Sequence, residues 1–110
     1  MPENLKGIRT AATVGLTGGF RHGEISVDGQ TVGRGPDGAG TASVELIPPT
    51  VDIEVRLLSG SPCTFKGSVE INKKKKEFDG LMKHSGRATF TFQWPFSDFG
   101  MDAGTGGLPA

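Results

Sequence analysis

The sequence predicts an all-β domain, an antiparallel β-sandwich or small barrel of about eight short strands. Three observations carry that expectation. Apolar and polar residues alternate with period two in segment after segment. Glycine (18) and proline (7) are abundant while apolar residues make up only 35%, which suits short strands joined by tight turns. The chain also carries an internal repeat of roughly 45 residues, a scale at which repeats become architectural.

The repeat slides residues 5–49 onto residues 50–95. Ile8 lands on Ile53, Gly15 on Gly60 and Phe20 on Phe65 without a gap. With one deletion, Gly23 meets Gly67, Ile25 meets Val69, Val27 meets Ile71 and Asp28 meets Asn72. After small insertions, Gly40 meets Gly86, Ala42 meets Ala88, Val44 meets Phe90, Leu46 meets Phe92 and Pro49 meets Pro95. Such matches arise by duplication or from shared alternation alone. Either way the pattern predicts one domain over residues 1–99, with two similar four-strand halves and a glycine-rich flexible tail over residues 100–110.

The elements follow in order. Residues 1–4 read as a loose end. Residues 6–16 read as a first strand, rich in small and β-branched residues, which Thr17, Gly18 and Gly19 break. Residues 23–33 form a hairpin about Asp28-Gly29, because a type I′ turn needs positive φ at both central residues. That turn is expected to set Ile25 opposite Val32. Residues 33–40 form a mobile or tightly turned loop. Residues 41–47 alternate Ala42, Val44 and Leu46 against polar neighbours, and Pro48-Pro49 ends that strand for lack of N–H donors.

In residues 51–58, Val51, Ile53, Val55 and Leu57 point inward. Residues 65–78 form a second hairpin whose turn lies within residues 72–75. A turn at Lys73-Lys74 would pair Val69 with Phe78. Residues 79–86 read as a loop or one short helical turn. Residues 87–94 are the strongest strand, with Ala88, Phe90, Phe92 and Trp94 on one face, and Pro95 ends it.

Twelve basic and twelve acidic residues give a net charge of zero. Attraction to nucleic acid would therefore have to come from a local patch. Neutrality also removes the long-range repulsion that would oppose self-association. A single cysteine, Cys63, excludes an intramolecular disulfide. No apolar run reaches membrane-spanning length and no secretory leader is visible, so the expected location is the cytoplasm.

Candidate chemistry is sparse. Gly33, Gly35 and Gly38 share the spacing of a dinucleotide fingerprint, but a strand follows where a helix is required, so they read as a surface loop. His22 and His84 lie far apart and far from Cys63, too few ligands for a metal site. Cys63 has no adjacent base and reads as a structural thiol. Carboxylates are scattered along outward strand faces, and none is paired inside an apolar segment that would raise its pKa. The expectation is a non-enzyme with no cofactor, no metal and no catalytic residue.

Two features suit an interface. Lys73, Lys74, Lys75 and Lys76 form a basic hairpin tip, either a solvated guard against edge pairing or a contact for phosphates or for acidic groups of another copy. Arg21, Arg34, Lys83 and Arg87 extend it only through interleaved acids. Trp94, Phe96 and Phe99 end the aromatic segment beside a glycine-rich tail that cannot cover them, and exposed aromatics anchor protein interfaces.

The segment 23–32, with Ile25-Ser26-Val27-Asp28-Gly29, resembles the first hairpin of tail-tube-like and related small β proteins of tailed bacteriophage virions. The segment 54–62, Glu-Val-Arg-Leu-Leu-Ser-Gly-Ser-Pro, is similar in character to strands of those proteins. The resemblance covers about a third of the chain, and the long insertion loop and helix of the tube pattern have no counterpart here. It implies a virion component of the tail or head, which self-assembles or joins other virion proteins through strand edges, the two hairpins and a terminal arm. The competing expectation is a small monomeric binding module, recognising nucleic acid or a protein through the lysine tip and the aromatic segment.

Overall fold

The computed structural model describes residues 8–101. Eight strands run in order: β1 (Ile8–Gly18), β2 (His22–Val27), β3 (Gln30–Gly35), β4 (Gly40–Leu46), β5 (Thr50–Ser59), β6 (Cys63–Ile71), β7 (Lys74–Met82) and β8 (Gly86–Pro95). A single 3₁₀ turn, η1 (Phe96–Phe99), follows β8. All pairings are antiparallel, in two four-stranded sheets ordered β4-β1-β6-β7 and β3-β2-β5-β8. The all-β expectation and the number of strands hold, and the architecture is a sandwich.

Exchanging β1–β4 for β5–β8 turns one strand order into the other. The β1–β4 and β5–β8 ladders correspond residue for residue. Ile8 faces Leu46, Thr10 faces Val44 and Ala12 faces Ala42. At the aligned positions Ile53 faces Phe92, Val55 faces Phe90 and Leu57 faces Ala88. The ladders between halves do not correspond. Val14 faces Val69, yet their counterparts Ser59 and Ile25 are out of register, since Ile25 faces Val55.

Alternation builds the core. β5 turns Val51, Ile53, Val55 and Leu57 inward, each at most 2% exposed, onto Ala12, Val14 and Leu16 of β1 and Phe65, Val69 and Ile71 of β6. Burying side chains of this size stabilises the fold by roughly 1.5–3 kcal/mol each.

Several sequence expectations need correction. Ile25 faces Gly33, not Val32, because a β-bulge between Ile25 and Ser26 shifts the register. The second turn is Asn72-Lys73, both in the left-handed region (φ 56° and 63°), the same geometry as Asp28-Gly29 (φ 49° and 80°). Val69 therefore faces Lys76, and Phe78 faces Gly67. Residues 79–82 are strand, not loop, because that register keeps Phe78 and Met82 on the buried face. β1 continues through Thr17 and Gly18, where Gly18 faces Phe65.

The fold also extends past Phe99. Gly100 closes η1 in the left-handed conformation (φ 70°), its N–H donating to the Ser97 carbonyl. Met101, 4% exposed, donates its N–H to the Phe96 carbonyl. The rest of the expected tail, 102–110, and the loose end 1–4 lie outside the described residues.

Candidate assembly interface at the open seam

A two-sheet sandwich has two lateral seams, one at each pair of edge strands. Here one joins β3 to β4 and the other joins β7 to β8, and their chemistry differs.

The β3/β4 seam is drawn tight. A side-chain carbon at Gly33 would collide with the Gly38 carbonyl oxygen, and one at Gly40 with the Val32 carbonyl oxygen. Only glycine allows the two backbones so close. The loop between the strands folds onto β1, with Leu16 N–H donating to the Asp37 carbonyl (2.8 Å) and Ala39 N–H to Asp37 Oδ1 (3.1 Å). The expected loop of residues 33–40 is thus short and tightly turned.

Gln30, the first residue after the Asp28-Gly29 turn, completes the closure. Its Nε2 donates to the Glu45 carbonyl (2.8 Å), and its Oε1 accepts from Glu45 N–H (3.0 Å). One side-chain amide thereby satisfies both edge-facing backbone groups of a β4 residue, as a neighbouring strand would. Asp28 anchors the connection to β5, its two carboxylate oxygens accepting from Ile47 N–H (3.2 Å) and Asp52 N–H (2.8 Å). Burial pushes the Asp28 carboxyl above its ordinary value of 3.8, and the two backbone donors only partly offset that.

At the β7/β8 seam the equivalent positions carry other residues. Lys74 stands where Gln30 does, and a lysine has no acceptor to return to a backbone N–H. Asn72 stands where Asp28 does, and its Nδ2 donates instead to the carbonyl of Phe99 (2.8 Å). That contact ties η1 across the seam. Phe96 and Phe99 are fully buried, so neither is the exposed anchor that the sequence suggested. They fill one end of the sandwich, held by Phe96 N–H donating to the Pro49 carbonyl (2.9 Å).

Along the rest of the seam the aromatics are partly uncovered. Phe90, Phe92 and Trp94 of β8 are half-buried, packed on the core from one side only. Phe92 stacks on Phe78 (4.6 Å between centroids), Phe90 tilts against Phe65 (4.7 Å) and Trp94 meets Phe99 edge-on (6.3 Å). Phe65 and Phe78 are positioned reciprocally across the β6–β7 ladder, each ring lying over the glycine opposite, Gly80 and Gly67.

The outer edge of β8 is the more informative feature. Phe96 and Pro49 continue the β5–β8 register as a hydrogen-bonded pair. Bonded and non-bonded pairs alternate in an antiparallel ladder. Trp94, Phe92, Phe90 and Ala88 therefore bond to β5, and the N–H and C=O groups of Arg87, Thr89, Thr91 and Gln93 point away from the sheet. Pro95 fits this phase, since its missing N–H falls on the open side.

The lysine run divides between faces. Lys73 sits in the turn, and Lys75 points to the solvent side of its sheet, in an open concavity of about 740 Å³ shared with Lys66, Asp37, Glu77 and Asp79. Lys76 is half-buried, its Nζ 3.8 Å from Asp98 Oδ2. The four lysines thus do not present one basic surface. Cys63 is half-buried, with Sγ 3.6 Å from Ser59 Oγ. Both histidines are exposed, and among the described residues no group of three or more His, Cys, Asp or Glu could hold a metal. No helix among them is long and apolar enough to cross a membrane.

Sequence reasoning singled out the aromatics of this seam but missed the two side-chain closures at the other. The one available signal was the contrast between Gln30 and Lys74, the residues that directly follow two otherwise equivalent turns. The chain matches no family model, no curated protein and no solved structure.

Proposed function

We propose that this protein is a non-enzymatic structural subunit that assembles with other protein chains through the β7/β8 seam. The observation that carries this reading is the long edge of β8, free among the described residues, beside half-buried Phe92 and Trp94. An open strand edge next to uncovered aromatic surface supplies both main-chain hydrogen bonds and apolar area to a partner. The likeness of residues 23–32 and 54–62 to tail-tube-like proteins supports the more specific form of the proposal, a tail or head component of a phage virion that reaches the virion after synthesis in the cytoplasm.

The mixed charge around Lys75 and the pairing of Lys76 with Asp98 favour assembly over nucleic-acid binding. Mass by light scattering across a concentration series, with electron microscopy of the same samples, tests the proposal. Rings, tubes or a defined oligomer are expected. A strict monomer that binds oligonucleotides with steep salt dependence, lost when residues 73–76 become alanine, would replace it with the binding-module reading.

A further inference from the structure

Among the described residues, β8 is unguarded where the edges β4 and β7 are not. β4 is closed by the Gln30 amide. β7 carries Lys74, Lys75, Lys76, Glu77 and Asp79, the charges that discourage edge pairing. β8 spans ten residues, alternates aromatic or small residues with threonine, and has one charged side chain, Arg87.

We propose that β8 pairs antiparallel with β8 of a second copy across a two-fold axis at Phe90, joining two four-stranded sheets into one continuous sheet. This deepens the assembly reading above and rests on it. The sequence of the strand is self-complementary about that axis. The edge-facing residues meet as hydrogen-bonded pairs, Thr89 with Thr91 and Arg87 with Gln93. On the opposite face Phe90 meets Phe90 and Ala88 meets Phe92. Threonine–threonine and aromatic–aromatic pairs are favourable across strands, and like charges are unfavourable. No like charges meet in this register, because the one arginine faces a glutamine. Pro95, which has no N–H to offer, falls outside the paired stretch. The zero net charge of the chain leaves no long-range repulsion between copies.

Thr91→Pro tests the pairing. It deletes an N–H that points away from β5, so the isolated fold does not use it, and proline is tolerated at such edge positions. Sedimentation velocity of the wild type over a concentration series is expected to show a dimer or a higher species built from it. Thr91→Pro is expected to weaken that association at least about 30-fold, two donors being lost per symmetric contact. A second variant, Thr89→Lys with Thr91→Lys, sets like charges opposite each other and is expected to be monomeric. Thermal unfolding confirms that both variants are folded.

Association that both folded variants leave unchanged would overturn the β8 pairing while leaving assembly standing. A wild type that stays monomeric at every concentration would overturn both. If proline unfolds the chain, the lysine variant alone decides.

Discussion

The two seams of this sandwich are built from equivalent strands and end in opposite states. Glu45 in β4 and Thr91 in β8 occupy matching edge positions, each one residue before the matched pair Leu46 and Phe92. The backbone of Glu45 is closed by the amide of Gln30, while Lys74, which stands in the place of Gln30, lies against Gly100. The first seam spends its hydrogen-bonding capacity inside the molecule. Among the described residues, the second leaves it at the surface beside aromatic rings, with η1 over one end. The difference lies in a few residues after two similar turns, so a duplicated-looking scaffold carries a surface for association on one side only.

The largest disturbance is expected where the open seam is plugged. Phe99→Ala removes a fully buried ring that meets Trp94 and leaves a cavity between β7 and β8. A loss of about 3–5 kcal/mol in urea unfolding is expected. A loss below about 1 kcal/mol would mean that η1 is not part of the core.

The closed seam breaks next. Gly40→Ala drives a methyl into the Val32 carbonyl and is expected to cost about 1–3 kcal/mol. Gly15→Ala, at a strand position with nothing within 4 Å of the added carbon, serves as the control and is expected to be neutral or slightly stabilising. Equal effects at the two glycines would remove the close approach from the account.

The smallest effect concerns Asp28. Its carboxyl is raised above 3.8 in the folded protein, so the native state holds that proton more tightly than the unfolded chain does. Its contribution to stability is fully present below the ordinary value and is lost as pH rises through the raised one. Relative to Asp28→Asn, the wild type is therefore expected to gain stability on acidification from about pH 7 to about pH 3. Denaturant titrations of both proteins at the two pH values measure this, and a difference that stays constant or runs the other way would contradict the burial of the carboxylate.

Much of the fold is legible in the residues. Val51, Ile53, Val55 and Leu57 alternate cleanly because one face of β5 is buried along its whole length. Asp28-Gly29 specifies its turn because both positions need positive φ. The second hairpin is harder to read, since Asn72, Lys73 and Lys74 are all polar and nothing local says which pair takes the left-handed conformation. The packing of Phe78 against Gly67 settles the register, and that is a tertiary contact.

Phe96 and Phe99 looked exposed because the chain beyond them is rich in glycine and reads as a flexible tail. They are buried because η1 folds back over the seam, held by Asn72, a residue remote in sequence. The Gln30 closure is likewise a contact between a hairpin and a strand of the other sheet, which periodicity cannot encode. The bulge opposite Ile25 and Ser26 takes Val32 as its extra residue, and Gly33 beside it is one of several glycines in that stretch, so the Ile25 pairing was hidden as well.

Amide hydrogen exchange at Glu45 and Thr91, followed by NMR across a concentration series, tests the contrast most directly. In dilute solution Glu45 is expected to be protected by Gln30 Oε1 while Thr91 exchanges at least about ten-fold faster, and Thr91 is expected to slow as concentration rises and β8 becomes paired. Equal protection of the two amides in dilute solution, or a Thr91 amide indifferent to concentration in a sample that associates, would contradict it.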